Sequence, residues 1–277
     1  MTERLKDTTV VIASSEDESV FRCIESVRDE AKIVVSLTPS DSIEARLKKM
    51  QIPHVVVPKG NLGITFNAGI EHAETPKVIV MTDDATFDPE AIGKLSEALE
   101  EYDACKARII FHHDKQRPLT RLVANARDFI NSSPTRAYTP GLGLKRDIKE
   151  RMGGHYFNDQ IRWAEDAEFS YRLHERGLSF GYIRDAVVHH PPVSLRHDLQ
   201  GAFLIGLSKR RAVEMDLKEG SEDLIPTLQR LASGETIQRK SDVVREQDLP
   251  TAGYMILWDL FYNLGYNLRK IGLSDQI

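Results

Sequence analysis

Short apolar runs alternate with stretches of helical spacing through the first hundred residues. Thr8–Ala13 reads Thr-Thr-Val-Val-Ile-Ala, a β-branched run of the kind that forms a buried strand. Val20–Val27 follows with helical spacing. Lys32–Leu37 and His54–Val57 repeat the strand pattern, closed by Thr38-Pro39-Ser40 and by Pro58-Lys59-Gly60. Ile43–Met50 and Gly63–Ala73 carry the helical period between them. Lys77–Thr82 is a fourth strand. Pro89–Glu101 is a further helix, with apolar positions at Ala91, Ile92, Leu95, Ala98 and Leu99. Such alternation predicts βαβ units and a mostly parallel central sheet flanked by helices, an α/β fold. In sheets of this kind ligands bind beyond the carboxyl ends of the strands. The residues to inspect are therefore Ser14-Ser15, Thr38–Asp41, Pro58–Asn61 and Asp83-Asp84.

The alternation breaks after Phe111. A helix near Leu119–Ile130 is followed by a loop holding Pro134, Pro140, Gly141 and Gly143, then Gly153-Gly154 and a helix near Ala164–Arg176. A last strand-like stretch, Leu178–His190, ends in Pro191-Pro192. From Val193 onward the pattern is helical and amphipathic, and Glu219–Gln247 is polar enough for a flexible connection. The expected organisation is an α/β domain over 1–192 that carries the ligand sites, and a helical C-terminal extension over 193–277.

Composition narrows the functional classes. The chain has 277 residues, 41% hydrophobic and 29% charged, with a net charge of −5. No basic stripe points to nucleic acid. No uninterrupted apolar stretch of about 18 residues predicts a spanning helix. The start, Met1–Asp7, is polar and has no apolar signal region. Cys23 and Cys105 are the only two cysteines and form no zinc-ligand spacing. These features predict a cytoplasmic protein.

Four constellations carry chemistry. Asp83-Asp84 directly follows the fourth strand, and two adjacent carboxylates repel unless something compensates. A divalent cation, Mn²⁺ or Mg²⁺, would do so; a plain strand-to-helix turn also fits. Glu165-Asp166 opens a helix, where the helix dipole favours carboxylates and where an ionised carboxylate can also serve as a general base. His189-His190 ends a strand and offers imidazole, a common metal ligand. Gly60-Asn61-Leu62-Gly63 and Asn67-Ala68-Gly69-Ile70 shape a glycine-rich turn beside Lys59, and match neither a P-loop nor a dinucleotide fingerprint.

Taken in order, these segments resemble the family 2 inverting glycosyltransferases of the A-type fold. The likeness rests on Thr9–Ser15, Gly60–Gly63, Asn67–Ile70, Thr82–Ile92, Gly141–Arg146, Glu165–Leu173 and Ala186–His190, and spans about Thr8 to Pro192. It implies a nucleoside-diphosphate sugar donor and an acceptor that is a glycan, a lipid-linked glycan or a small molecule. It also implies that Asp83 meets the ribose side of the nucleotide and that Asp84 holds Mn²⁺ or Mg²⁺ on the diphosphate. In the same way Asp166 is the catalytic base, with Glu165 supporting it or meeting the acceptor. His189 lies near the metal, with His190 the alternative. Ser14 and Ser15 face the base, and Lys59, Asn61 and Asp41 complete the nucleotide-sugar contacts. Two departures stand out: Ala85 occupies a usually acidic position, and the second strand lacks its acidic turn, which leaves Asp41 as the remaining candidate there.

Two other readings stay in view. A sugar-phosphate nucleotidyltransferase needs a basic loop after the first strand, whereas Ser14-Ser15-Glu16-Asp17-Glu18 is acidic. A non-catalytic subunit that binds a sugar nucleotide is motivated by Ala85 and the missing acidic turn. The C-terminal helix, Thr251–Gly272, is rich in aromatic and aliphatic residues. It fits a membrane surface at the inner face, where a lipid-linked acceptor lies, or packing on the catalytic domain or on a second copy in a homo-oligomer. Ser208–Arg211 adds a small basic cluster.

Overall fold

A computed structural model describes residues 3–15, 18–215 and 241–270. The chain forms two compact units. The first comprises Met1–Ile110, Ser133–Gln160 and Glu165–Pro191, and the second Phe111–Ser132, Ile161–Ala164 and Pro192–Ile277. The boundary expected at 192/193 is thus joined by two earlier segments, which group with the C-terminal helices rather than with the sheet.

The sheet strands are β1 (Thr8–Ser14), β2 (Lys32–Leu37), β3 (His54–Val56), β4 (Lys77–Thr82), β5 (Thr86–Phe87), β6 (Ala104–Phe111), β7 (Leu142–Lys145) and β8 (Phe180–His190). They lie in the order β3-β2-β1-β4-β7-β6-β8-β5. The pairings β3-β2, β2-β1 and β1-β4 are parallel, as expected of the βαβ pattern, whereas β7 enters antiparallel to β4. Helices α1 (Val20–Glu25), α2 (Asp41–Lys49), α3 (Leu62–His72) and α4 (Ala91–Glu101) supply the crossovers. Their apolar positions meet the sheet on its two faces. Ile12, Ile24, Leu47 and Leu95 belong to one core; Val11, Phe66, Ile70 and Phe169 belong to the other. Alternation along β1 explains the split, since neighbouring residues of a strand point to opposite faces. Gly69 lets α3 lie on β1: a Cβ there would come within 2.3 Å of Val11 Cγ1. Between β7 and β8 come α6 (Ile148–Arg151) and α7 (Glu165–Glu175), both in the first unit.

The second unit holds α5 (Leu119–Asn131), α8 (Leu195–Glu214) and α9 (Leu249–Lys270). Helices α8 and α9 touch backbone to backbone. A Cβ on Gly206 would stand 2.0 Å from the Tyr262 carbonyl, and one on Gly265 2.0 Å from that of Phe203. Val123, Ala126, Ala252 and Met255 fill the core between helices. Asp198, buried there, is answered by Arg127 and by the Tyr254 hydroxyl. Half of the expected amphipathic C-terminal helix is accordingly inside, while Ile256, Leu260 and Leu264 remain exposed. Among the described residues no helix is long and apolar enough to cross a membrane. Most of the polar stretch expected as a connection, residues 219–240, lies outside the described residues.

Candidate functional site

The strands β1 and β4 run in step, with Ala13 beside Thr82. Their carboxyl ends therefore release Ser14-Ser15 and Asp83-Asp84 at the same level. The Ser15 backbone N–H donates to Asp83 Oδ2 at 3.0 Å, and the Asp83 N–H returns to the Ala13 carbonyl at 3.1 Å. A cleft of about 710 Å³ opens at this edge, lined by Ser14, Ser15, Thr38, Lys59, Asn61, Thr65, Thr82 and Asp83. That volume is of the order that takes a nucleotide-sized ligand. Ser14 Oγ, Thr82 Oγ1 and Asp84 Oδ1 are buried and have no hydrogen-bond partner among the described residues. Buried polar atoms are otherwise nearly always satisfied, so three such atoms at one strand edge call for an explanation.

The histidine pair divides between two carboxylates. Strands β5 and β8 pair antiparallel, Thr86 with His189 and Phe87 with Val188. This register carries His190 past the end of β5 towards Asp84, and its Nε2 lies 3.4 Å from Asp84 Oδ2. His189 points the other way, as strand alternation demands, and its Nε2 hydrogen-bonds Asp88 Oδ1 at 2.7 Å. The expectation that His189 accompanies Asp84 is corrected by this register: the imidazole beside Asp84 belongs to His190. Its Nδ1–H donates to the Pro191 carbonyl at 2.9 Å, which orients Nε2 towards Asp84. Among the described residues no three His, Cys, Asp or Glu side chains gather closely enough to enclose a metal by themselves. Asp84 and His190 fit a divalent cation that takes one carboxylate, one imidazole and its remaining ligands from phosphate and water.

Two other expected contacts are placed differently. Asp41 is exposed in the first turn of α2, where the helix dipole favours its charge, and does not line the cleft. Asn61 does line it, but both ends of its amide serve the fold. Oδ1 caps α3 by accepting from the Ile64 N–H at 2.8 Å, and Nδ2 donates to the Asp159 carbonyl. Asn67 holds the same segment, donating to the Phe157 carbonyl at 2.8 Å and accepting from its N–H at 3.0 Å. Lys59 and the two serines line the cleft as expected. The loop after β1 is acidic, yet Glu18 is paired with Arg46 at 2.7 Å; Glu16 and Asp17 lie outside the described residues.

Helix α7 carries the second group of acids. Glu165 is buried, and Asp166 is half-buried and accepts from the Thr139 N–H at 3.5 Å. Glu168, wholly buried, meets Arg172 at two points, 2.5 and 2.9 Å. Arg172 also donates to the carbonyls of Met152, His155 and Tyr156 at 2.8, 3.0 and 2.6 Å. This clamp was not anticipated, although the Glu-x-x-x-Arg spacing that builds it is visible in the sequence.

The family known as glycosyl transferase family 2 matches residues 8–155, just over half of the chain. The chain belongs to this family. None of the curated proteins matches this chain by sequence. Among solved structures its fold is similar to the crystal structure of GalNAc-T7 with UDP, GalNAc and Mn²⁺, at 15% identity and a TM-score of 0.51. That similarity covers 68% of this chain and 43% of the other, so the matched part spans less than half the length of that structure. Both findings agree with the α/β fold, a mostly parallel central sheet flanked by helices, expected from the strand pattern.

Proposed function

We propose that this family member transfers a sugar from a nucleoside-diphosphate sugar to an acceptor hydroxyl, with a divalent metal and with inversion at the anomeric carbon. The observation that carries the reading is the strand edge where Ser14, Thr82 and Asp84 keep buried polar atoms without partners among the described residues, beside a nucleotide-sized cleft. The UDP and Mn²⁺ named for the similar structure support the same chemistry.

In this reading Asp84 and His190 would hold Mn²⁺ or Mg²⁺, and Asp83, fixed by the Ser15 N–H, would meet the ribose. Bound there, the cation supplies charge for the departing diphosphate. Lys59 adds a positive group on the cleft wall. Asp166 takes the proton from the acceptor hydroxyl. The acceptor oxygen bonds to the anomeric carbon as that carbon releases the diphosphate oxygen, which leaves with the electron pair. Attack opposite the leaving group inverts the centre. Glu165, buried beside the base, supports it rather than touching the acceptor.

The test is turnover of UDP-, GDP- and dTDP-hexoses with Mn²⁺, read as release of nucleoside diphosphate. One donor class turns over, and Asp166→Asn lowers its rate about 10²–10⁴-fold, the usual contribution of a general base. An Asp166→Asn protein that turned over at the wild-type rate would refute the assignment. A wild-type protein that bound a nucleotide but released nothing, even with acceptor extracts, would favour the non-catalytic subunit.

A further inference from the structure

The first turn of α7 brings three carboxylates together, Glu165, Asp166 and Glu168. Two of them are buried. Such a cluster is costly unless cations answer it. Arg172 answers Glu168, and its remaining N–H groups are engaged by the carbonyls of Met152, His155 and Tyr156. A second cation comes from the sheet. Lys106, on β6, is only 1% exposed, an unusual position for an ammonium. Its Nζ donates to the Ser133 carbonyl at 2.6 Å and lies over the rings of Tyr182 and Tyr138, at 4.8 and 5.4 Å.

The loop above Lys106 is the loop that seats Asp166. Tyr138 covers Lys106, and the next residue, Thr139, donates its N–H to Asp166 Oδ2. Ala137 donates to Ser170 Oγ one turn along α7, at 3.1 Å. Tyr138 from the loop and Tyr182 from β8 face Lys106, with Arg184 over the same Tyr182 ring at 5.8 Å, and Asp166 is the charged group whose field reaches it. Burial pushes the Lys106 ammonium down to about 8, and the charge of Asp166 opposes that fall.

We propose that Lys106 is the counter-cation of Asp166, a positioning residue that keeps the base carboxylate ionised and seated against the 137–139 loop. Buried as it is, Lys106 touches neither donor nor acceptor. Its role rests on the reading of Asp166 as the base.

The experiment follows the carboxyl carbon of Asp166 by ¹³C NMR through a pH titration, assigned by its loss in Asp166→Asn. A neighbouring positive charge lowers a carboxyl pKa. Lys106→Met therefore moves the Asp166 midpoint up by about one pH unit or more, and Lys106→Arg restores it. The acid limb of donor turnover moves to higher pH with it, which mere loss of packing would not cause. A midpoint unchanged in Lys106→Met overturns the proposal. The coupling is reciprocal: in Asp166→Asn the Lys106 ammonium titrates below its wild-type midpoint, and an unmoved Lys106 there also overturns it. This second titration decides the matter even if Lys106→Met does not fold. Neither titration reads turnover. Full turnover by Asp166→Asn would remove the catalytic role, whereas unmoved titrations would remove the pairing.

Discussion

The two acidic regions of the chain are tied down to different degrees. At the ends of β1 and β4, Ser14, Thr82 and Asp84 each leave a buried polar atom without a partner among the described residues. On α7, Glu168 is answered at two points by Arg172, and Ser170 and Asp166 are tied to backbone N–H groups of the 137–139 loop. An unsatisfied buried polar atom costs stability, of the order of 1–3 kcal/mol. A satisfied network holds its members in one geometry. The first arrangement suits residues whose partners arrive with a ligand. The second suits a base that must be in place beforehand.

That contrast can be broken or sharpened by substitution, beginning with the largest effect. Asp166→Asn should cost about 10²–10⁴-fold in turnover while leaving nucleotide binding intact, measured by donor release and by calorimetric titration of nucleotide. Arg172→Ala should destabilise the first unit by about 3–5 kcal/mol in denaturant melts, because it strands a buried Glu168 carboxylate. Replacing Glu168 and Arg172 together by Leu and Met should cost much less, since no charge is then left alone. His190→Ala should weaken metal-dependent nucleotide binding, whereas His189→Ala, which breaks the pairing with Asp88, should leave it nearly unchanged. Asn61→Ala should cost about 1 kcal/mol as a lost helix cap. Its larger consequence would be a looser 157–159 segment, visible as faster amide exchange there.

Much of this was legible in the chain. Lys32–Leu37 and Lys77–Thr82 are the observed β2 and β4 residue for residue, because uniform β-branched runs with turn residues at both ends leave little choice. The Asp83-Asp84 pair could be placed at a strand end for the same reason. The second half of the sheet was harder. Strand β6 reads Ala-Cys-Lys-Ala-Arg-Ile-Ile-Phe, and its buried Lys106 breaks the apolar run that marks a strand. Strand β7 is four residues around Gly143, and β5 is two. Their pairing depends on contacts distant in sequence, and with it the choice between His189 and His190. That choice turns on the register of a two-residue strand, which local pattern does not encode. Arg172 and Lys106 were hidden differently: as residue types they read as surface charges, and their burial depends on partners the fold supplies, Glu168 and three backbone carbonyls for Arg172, the Ser133 carbonyl and the rings of Tyr138 and Tyr182 for Lys106. In the second unit, the glycines at 206 and 265 bring α8 and α9 into backbone contact, which apolar periodicity alone does not announce.

The central claim is that the β1–β4 edge holds a nucleoside diphosphate through Asp84 and a divalent cation. A ligand that binds only the folded protein raises its melting temperature by mass action. The most direct measurement is therefore the melting temperature with UDP, GDP, dTDP and CMP, each with Mn²⁺ and with chelator, for wild type and Asp84→Ala. The account predicts that one nucleoside diphosphate raises the wild-type melting temperature only when Mn²⁺ is present, and that Asp84→Ala removes the rise. No rise with any nucleotide, or a rise that survives both chelator and Asp84→Ala, would contradict it.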